Sequence, residues 1–68
     1  MDRAKTGVKL RALRMERGES LEYASDKIGI SKSSLAMYER GERIPRDEVK
    51  VKISRYYKKG IEEIFFAS

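Results

Sequence analysis

The sequence predicts an all-α fold, a compact bundle of five short helices. Glycines recur where helices would end, and serine stands directly before two stretches of helical composition. The one stretch with strand-like alternation, residues 49–53, has no second strand to pair with, and an isolated strand is not stable. The predicted helices cover residues about 6–17, 21–28, 32–40, 47–58 and 61–66. Because a chain of 68 residues holds one small core, we expect a single domain over 1–68.

Capping residues and apolar spacing define the first three helices. Gly18, Gly29 and Gly41 each follow a helical stretch, where glycine commonly ends a helix. Ser20 and Ser31 are good N-cap residues for the second and third helices. Each helix carries a small apolar stripe that would face the core. The stripes consist of Leu10 and Leu13, then Leu21, Ala24, Ser25 and Ile28, then Leu35 and Tyr38.

The segment after Pro45 carries conflicting signals. Residues 49–53 alternate apolar and charged side chains, which by period alone is typical of a strand. However, Asp47 can cap a helix and Glu48 suits its first turn. Four apolar side chains would share one helical face: Val49, Ile53, Tyr56 and Tyr57. We therefore predict a fourth helix here, followed by the short fifth helix.

The composition argues against enzymatic chemistry. The chain has no cysteine and no histidine, so it lacks the commonest metal ligand and the commonest general base. We expect no enzyme and no cofactor. Lysine and arginine number 16 against 11 acidic residues, a net charge of +5 that suits nucleic acid or an anionic membrane surface. Many small soluble proteins are equally basic, so the charge alone does not decide.

The apolar runs are short. The N-terminus has no secretory signal, and the longest apolar runs, "LAMY" and "IFFA", are too short to span a membrane. We expect a cytoplasmic protein. Membrane association through the basic segment 50–59 would need an apolar face of greater bulk.

The middle of the chain has the spacing of a helix-turn-helix. Residues 29–31 join the second and third predicted helices, and the leading glycine permits a sharp turn. The third helix begins with short polar side chains at 32–34, followed by Ala36 and Met37. Lysine can donate to guanine, serine can serve several base edges, and alanine or methionine can touch a thymine methyl group. This composition favours a helix that enters the major groove of DNA.

Together these features resemble the Cro- and Xre-type helix-turn-helix family of phage and bacterial repressors. The likeness runs from about Gly7 to Phe65. It rests on "LRALR" (10–14), Gly18-x-Ser20, "KIGISKSSLAMYERG" (27–41), Arg43, Pro45 and "IEEIFF" (61–66). The resemblance implies the lambda-repressor-like bundle of five helices. It also implies sequence-specific binding of double-stranded DNA by a small transcriptional regulator of the repressor type.

The resemblance also implies roles for individual residues. Arg14 and Glu39 match family residues that pair and tie the first helix to the recognition helix. Lys32, Ser33 and Met37 match positions that read bases, although a lysine is a flexible point charge that can contact phosphate instead. Four residues match positions near the phosphate backbone: Ser31, Ser34, Arg43 and Arg46.

The sequence departs from the family pattern at several positions. Leu21 stands where many relatives carry a glutamine that contacts phosphate. Ala24-Ser25 replaces the usual Leu-Ala, so neighbouring bulk from Tyr23 or Leu21 must fill the space. Three further departures fall in the last two helices: Asp47 and Lys50 at positions that are often apolar, and Gly60 at the usual cap.

A domain of this size offers few base contacts, so we expect a homodimer on a pseudo-palindromic operator, with half-sites about one helical turn apart. Phe66 and the tail, residues 67–68, are the candidate interface. In the alternative arrangement, Phe65 and Phe66 both complete the core of the monomer. A second functional hypothesis is a protein-interaction adaptor or antitoxin-like module on the same fold.

Overall fold

The computed structural model describes residues 2–66 as helices joined by short turns. The elements are α1 (Arg3–Glu16), α2 (Leu21–Ile28), α3 (Lys32–Glu39), α4 (Asp47–Tyr57) and a short π-helix (Glu62–Phe66). No strand occurs within residues 2–66, and the prediction of an all-helical bundle of five helices is confirmed. Residues 49–53 belong to α4, so the alternating pattern does not mark a strand. None of the helices in these residues is long and apolar enough to cross a membrane.

The start of α1 differs from the sequence-based range. The helix begins at Arg3 rather than near residue 6 because Asp2 caps it. The Oδ1 atom of Asp2 accepts hydrogen bonds from the amides of Ala4 at 3.0 Å and Lys5 at 3.1 Å. The other differences are small, since α3 and α4 each end one residue before the predicted limits of 40 and 58.

The core gathers side chains from all the helices. Leu10, Leu35, Ile53 and Phe65 are its largest fully buried members. Around them lie Ala24, Ile28, Tyr38, Tyr57 and Ile64, which are also buried. Leu21 packs against this core whereas Tyr23 is half exposed, so Leu21 and not Tyr23 supplies bulk beside the small Ala24.

Lys50 is a buried cation at a position where the resemblance implies an apolar residue. Its ammonium lies 3.6 Å from a carboxylate oxygen of Asp47. It also lies 5.9 Å and 5.1 Å from the ring centroids of Phe65 and Phe66, within the range of a cation–π attraction. Phe65 is buried, but 55% of Phe66 is exposed, so Phe66 does not complete the core. Residues 67–68, part of the expected interface, lie outside the described residues.

Helices α1 and α3 approach each other so closely that no side chain fits between their backbones at one point. A Cβ atom on Gly7 of α1 would stand 2.3 Å from the carbonyl oxygen of Glu39 and 2.9 Å from that of Tyr38. Both distances are shorter than any ordinary contact, so this position requires glycine. The last turn of α3 is therefore seated directly on α1.

Candidate nucleic-acid interface

The turn between α2 and α3 is fixed by its backbone. Gly29 ends α2 with a φ of 92°, in the left-handed region that favours glycine. The amides of Gly29 and Ile30 both donate to the carbonyl oxygen of Ser25, at 2.9 Å and 3.0 Å. Ile30 then packs against the core and Ser31 caps α3. This turn sets the orientation of α3 relative to α2.

Helix α3 has one buried face and one outward face. Leu35 and Tyr38 are buried, whereas Lys32 and Ser33 are exposed and Met37 is half-buried. Because α3 makes one turn every 3.6 residues, Ser33 points almost directly away from the buried pair. The three residues predicted to read bases are therefore accessible and lie away from the core.

The start of α3 presents hydrogen-bond donors to solvent. The Oγ atom of Ser31 accepts from the amide of Ser34 at 3.0 Å and donates to the Oγ atom of Ser34 at 2.9 Å. With that acceptor role filled, the hydroxyl of Ser34 has its own hydrogen left to donate. The amides of Lys32 and Ser33 have no acceptor within a helix that begins there. Such a terminus favours an anion.

A polar recess of about 260 Å³ opens beside this helix terminus. Its lining includes all four residues that match phosphate-contacting positions: Ser31, Ser34, Arg43 and Arg46. The loop after α3 supplies the two arginines, both exposed. The structure thus brings these four residues together around one cavity, with two arginines among its lining.

Lys52 of α4, which was not predicted from the sequence, also lines this recess. It stands one helical turn after Val49, another lining residue, so both lie on the same side of α4. The spacing of Val49 and Lys52 in the sequence predicts that they share one face of α4. It does not predict that this face lies beside the start of α3. The recess therefore has three cationic side chains, one of them from outside the helix-turn-helix.

Arg14 and Glu39 join α1 to the last residue of α3. The Nε and Nη2 atoms of Arg14 donate to the two carboxylate oxygens of Glu39 at 2.8 Å and 3.0 Å, and Nη1 donates to the carbonyl oxygen of Glu19 at 2.7 Å. The hydrogen bond with Glu39 raises the pKa of Arg14 above its ordinary value, so the guanidinium stays charged. One side chain thus holds α1, the α1–α2 turn and the end of α3.

A second cluster, which was not predicted from the sequence, holds α4 against the α1–α2 turn. The hydroxyl of Tyr56 donates to Glu19 at 2.6 Å, and the Nε atom of Arg17 donates to the same carboxylate oxygen at 3.1 Å. The guanidinium of Arg17 lies 4.5 Å from the ring centroid of Tyr56. These contacts tie α4 to the α1–α2 turn.

Two further observations bear on DNA contact. Leu21 at the start of α2 is apolar and packs against the core, so it cannot supply the phosphate hydrogen bond that the resemblance implies at this position. Arg40, directly after α3, was also not predicted as a site residue. Its Nε and Nη2 atoms donate to Glu42 at 3.0 Å and 3.1 Å, and both side chains are exposed.

Within residues 2–66, no cluster of acidic side chains could hold a metal ion.

The sequence matches a known family model, and the fold matches solved structures of other proteins. A helix-turn-helix family model matches residues 10–64. The restriction-modification controller protein C.AhdI from Aeromonas hydrophila is 30% identical, with a TM-score of 0.86 over 94% of this chain and 97% of that chain. The clp gene regulator ClgR from C. glutamicum shares the fold, with 20% identity and a TM-score of 0.80 over 94% of this chain and 83% of that one. No curated protein matches the sequence significantly.

The resemblance that the sequence suggested is thereby confirmed. The family match covers most of the chain, and the controller protein aligns along nearly its whole length. Proteins of this family are DNA-binding regulators and not enzymes. The outward face of α3 and the cationic recess beside it have the chemistry that such a role needs. This chain belongs to the Cro/C1-type helix-turn-helix family of DNA-binding transcription regulators.

Proposed function

We propose that the protein binds specific sequences of double-stranded DNA and acts as a repressor. In this proposal α3 lies in the major groove and the recess beside its start receives the phosphate backbone. One observation carries the proposal. The exposed side chains of Lys32 and Ser33 and a recess lined by three cationic residues lie at the same end of α3. Repression follows from occupation of a promoter by the bound protein.

The two groups of residues have separate tasks. Lys32, Ser33 and Met37 contact base edges and provide the sequence preference. The second group holds the backbone and fixes the position of α3 along the duplex without reading sequence. It consists of Ser31, Ser34, Arg43 and Arg46, with Lys52 beside them. The buried pair of Arg14 and Glu39 contacts neither the bases nor the phosphate backbone, and it keeps α3 in place.

The protein acts as a homodimer on a pseudo-palindromic operator. Two copies double the few base contacts that one short helix can make, and a two-fold operator matches a two-fold protein. The candidate interface includes Phe66, whose ring is 55% exposed beside the buried Lys50. An aromatic ring in this setting loses contact with water when a second copy covers it, which favours association.

Selection from random duplex DNA tests the proposal. The bound sequences should converge on a motif with two related halves, their centres separated by about one helical turn of DNA. Affinity for the selected site should fall steeply with salt concentration, because each held phosphate releases counterions. A duplex of scrambled sequence serves as the control and should bind more weakly at every salt concentration.

Two results would contradict the proposal. Convergence on no motif, with equal binding to both duplexes, would remove sequence specificity. Little binding to any duplex, without steep salt dependence, would favour the adaptor or antitoxin-like function on the same fold.

A further inference from the structure

Arg40 continues the outward face of α3. Its backbone keeps helical geometry, with φ −83° and ψ −2°, although α3 formally ends at Glu39. Arg40 stands seven residues after Ser33 and three after Met37, so the three side chains leave the helix on the same side. The face that is proposed to meet DNA therefore includes an arginine at its far end.

The guanidinium of Arg40 is occupied by a neighbour on the same loop. Glu42 binds it through two parallel hydrogen bonds of 3.0 Å and 3.1 Å. The Arg40 and Glu42 side chains are 59% and 54% exposed, so water and salt screen the pair. Exposed pairs of this kind contribute little to stability, and a competing acceptor can replace the carboxylate readily.

DNA offers that competing acceptor in two places. The O6 and N7 atoms of guanine and the oxygens of a phosphate both accept two hydrogen bonds from one guanidinium, as the carboxylate of Glu42 does. In each case the planar fork of Arg40 would keep the geometry that it already has with Glu42. The carboxylate of Glu42 would meanwhile be left beside a polyanion, which repels it.

We propose that Arg40 is a further DNA-contacting residue and that Glu42 competes with DNA for its guanidinium. This inference rests on the proposed function. Binding exchanges the Arg40–Glu42 pair for an Arg40–DNA contact, so Glu42 lowers affinity for every duplex. The penalty is the same for every duplex that Arg40 contacts, so the pair lowers affinity without changing the preference between such duplexes.

A double-mutant cycle on the selected duplex tests the exchange. Glu42→Gln should tighten binding by about twofold to fivefold, which corresponds to the release of an exposed ion pair. Arg40→Gln should weaken binding by about tenfold. When Arg40→Gln is already present, adding Glu42→Gln should change affinity no more than Glu16→Gln does. Glu16 is an exposed carboxylate on α1, so its variant reports the effect of charge alone.

The same variants show which DNA group Arg40 contacts. If the contact is a guanine, Arg40→Gln removes the preference at one base pair and Arg40→Lys restores it only in part, since lysine lacks the fork. If the contact is a phosphate, Arg40→Gln weakens all duplexes alike and lowers the salt slope by about one. Thermal melts of each variant, followed by circular dichroism, verify that the fold is retained.

Several outcomes would overturn the inference. Glu42→Gln could tighten binding equally with and without Arg40, which would show a general charge effect. Arg40→Gln and Arg40→Lys could both leave affinity unchanged while the wild type binds normally, which would show that Arg40 does not reach DNA. If the wild type fails to bind any duplex, the proposed function fails first and this inference fails with it.

Discussion

Arg14 of α1 and Glu39 of α3 form a bidentate ion pair whose side chains are only 11% and 6% exposed. The remaining Nη1 group of Arg14 is used by the carbonyl oxygen of Glu19. Because the guanidinium and the carboxylate are both well paired, the ion pair fixes the position of α3. Pairs of this kind specify an arrangement more reliably than they add net stability.

Arg14→Ala should destabilise the protein by about 1–4 kcal/mol, because it leaves the carboxylate of Glu39 poorly solvated and unpaired. Urea melts of Arg14→Ala, Glu39→Ala and the double variant measure the coupling. The double variant should lose clearly less than the sum of the single losses. Additive and equally small losses, similar to that of the exposed Lys5→Ala, would mean that the two residues do not interact.

Gly7→Ala should destabilise the bundle by about 3 kcal/mol, since its methyl group would collide with the backbone of α3. Gly60→Ala provides the matched control, because a Cβ atom there meets nothing within 4 Å and the backbone does not have a positive φ. The control should be neutral or slightly stabilising. Similar melting temperatures for the two variants would refute the close contact of α1 with α3.

Tyr57→Phe should cost almost no stability. The Tyr57 hydroxyl is buried and has no hydrogen-bond partner within residues 2–66, so its removal leaves no acceptor or donor unpaired. Tyr56→Phe, by contrast, should cost about 1 kcal/mol because it removes the hydrogen bond to Glu19. Equal costs in urea melts would contradict the difference between these adjacent tyrosines.

Because the phenol of Tyr57 is buried, we expect the free energy of unfolding to depend on pH in the alkaline range. Burial raises the pKa of Tyr57 above its ordinary value of 10.0, so the folded protein keeps the phenol protonated while the unfolded chain ionises it. The resulting stability is fully present below pH 10 and is lost as pH rises above it. Tyr57→Phe should therefore flatten the decline above pH 10. An unchanged decline would show that another group controls it.

Lys32→Ala and Arg43→Ala should weaken DNA binding in different ways. Lys32→Ala should cost about 1–3 kcal/mol on the selected site and relax the choice at one base pair, because Lys32 lies on the outward face of α3. Arg43→Ala should weaken all duplexes alike and lower the salt slope by about one, because Arg43 lines the recess. A full series of single-base substitutions at two salt concentrations measures both effects.

The alternative for Lys32 is a contact with phosphate. Lys32→Ala would then keep the preference of the wild type at every base pair and would behave as Arg43→Ala does. Specificity would in that case come from Ser33, from Met37 or from the shape of the DNA.

Phe66→Ser should shift the protein towards monomer. The proposed interface would lose an aromatic ring, and sedimentation over a concentration series would show a weaker dimer. Val8→Ser is the control, since Val8 is 69% exposed but lies on α1. The dimer hypothesis fails if the wild type remains a monomer at high concentration and occupies its operator singly.

Much of the fold was predictable because its signals are local. Ser20 and Ser31 accept hydrogen bonds from the amides of residues three positions later, as N-cap residues do. Leu10, Leu35 and Ile53 are fully buried, in keeping with the apolar stripes of their helices. The pattern at 49–53 was ambiguous because a helix with one apolar face can also alternate over five residues.

The details that escaped prediction depend on the approach of distant segments. Lys52 lines the recess because α4 passes beside the α2–α3 turn, which no spacing in the sequence specifies. The hydrogen bond of Tyr56 to Glu19 joins residues far apart in the chain. The cap at Asp2 was local and could have been found, since aspartate is a strong N-cap residue.

The close seating of α3 on α1 at Gly7 has a consequence for how new specificities could arise. Backbone contact and the Arg14–Glu39 pair hold the inner side of α3, while Lys32 and Ser33 on its outer side have no part in the core. Substitutions at these two outer positions therefore change the groups that the outward face of α3 presents, without repacking the bundle. Under the proposed function, a few surface mutations on this face would give the protein a different operator while its folding stability stays nearly constant.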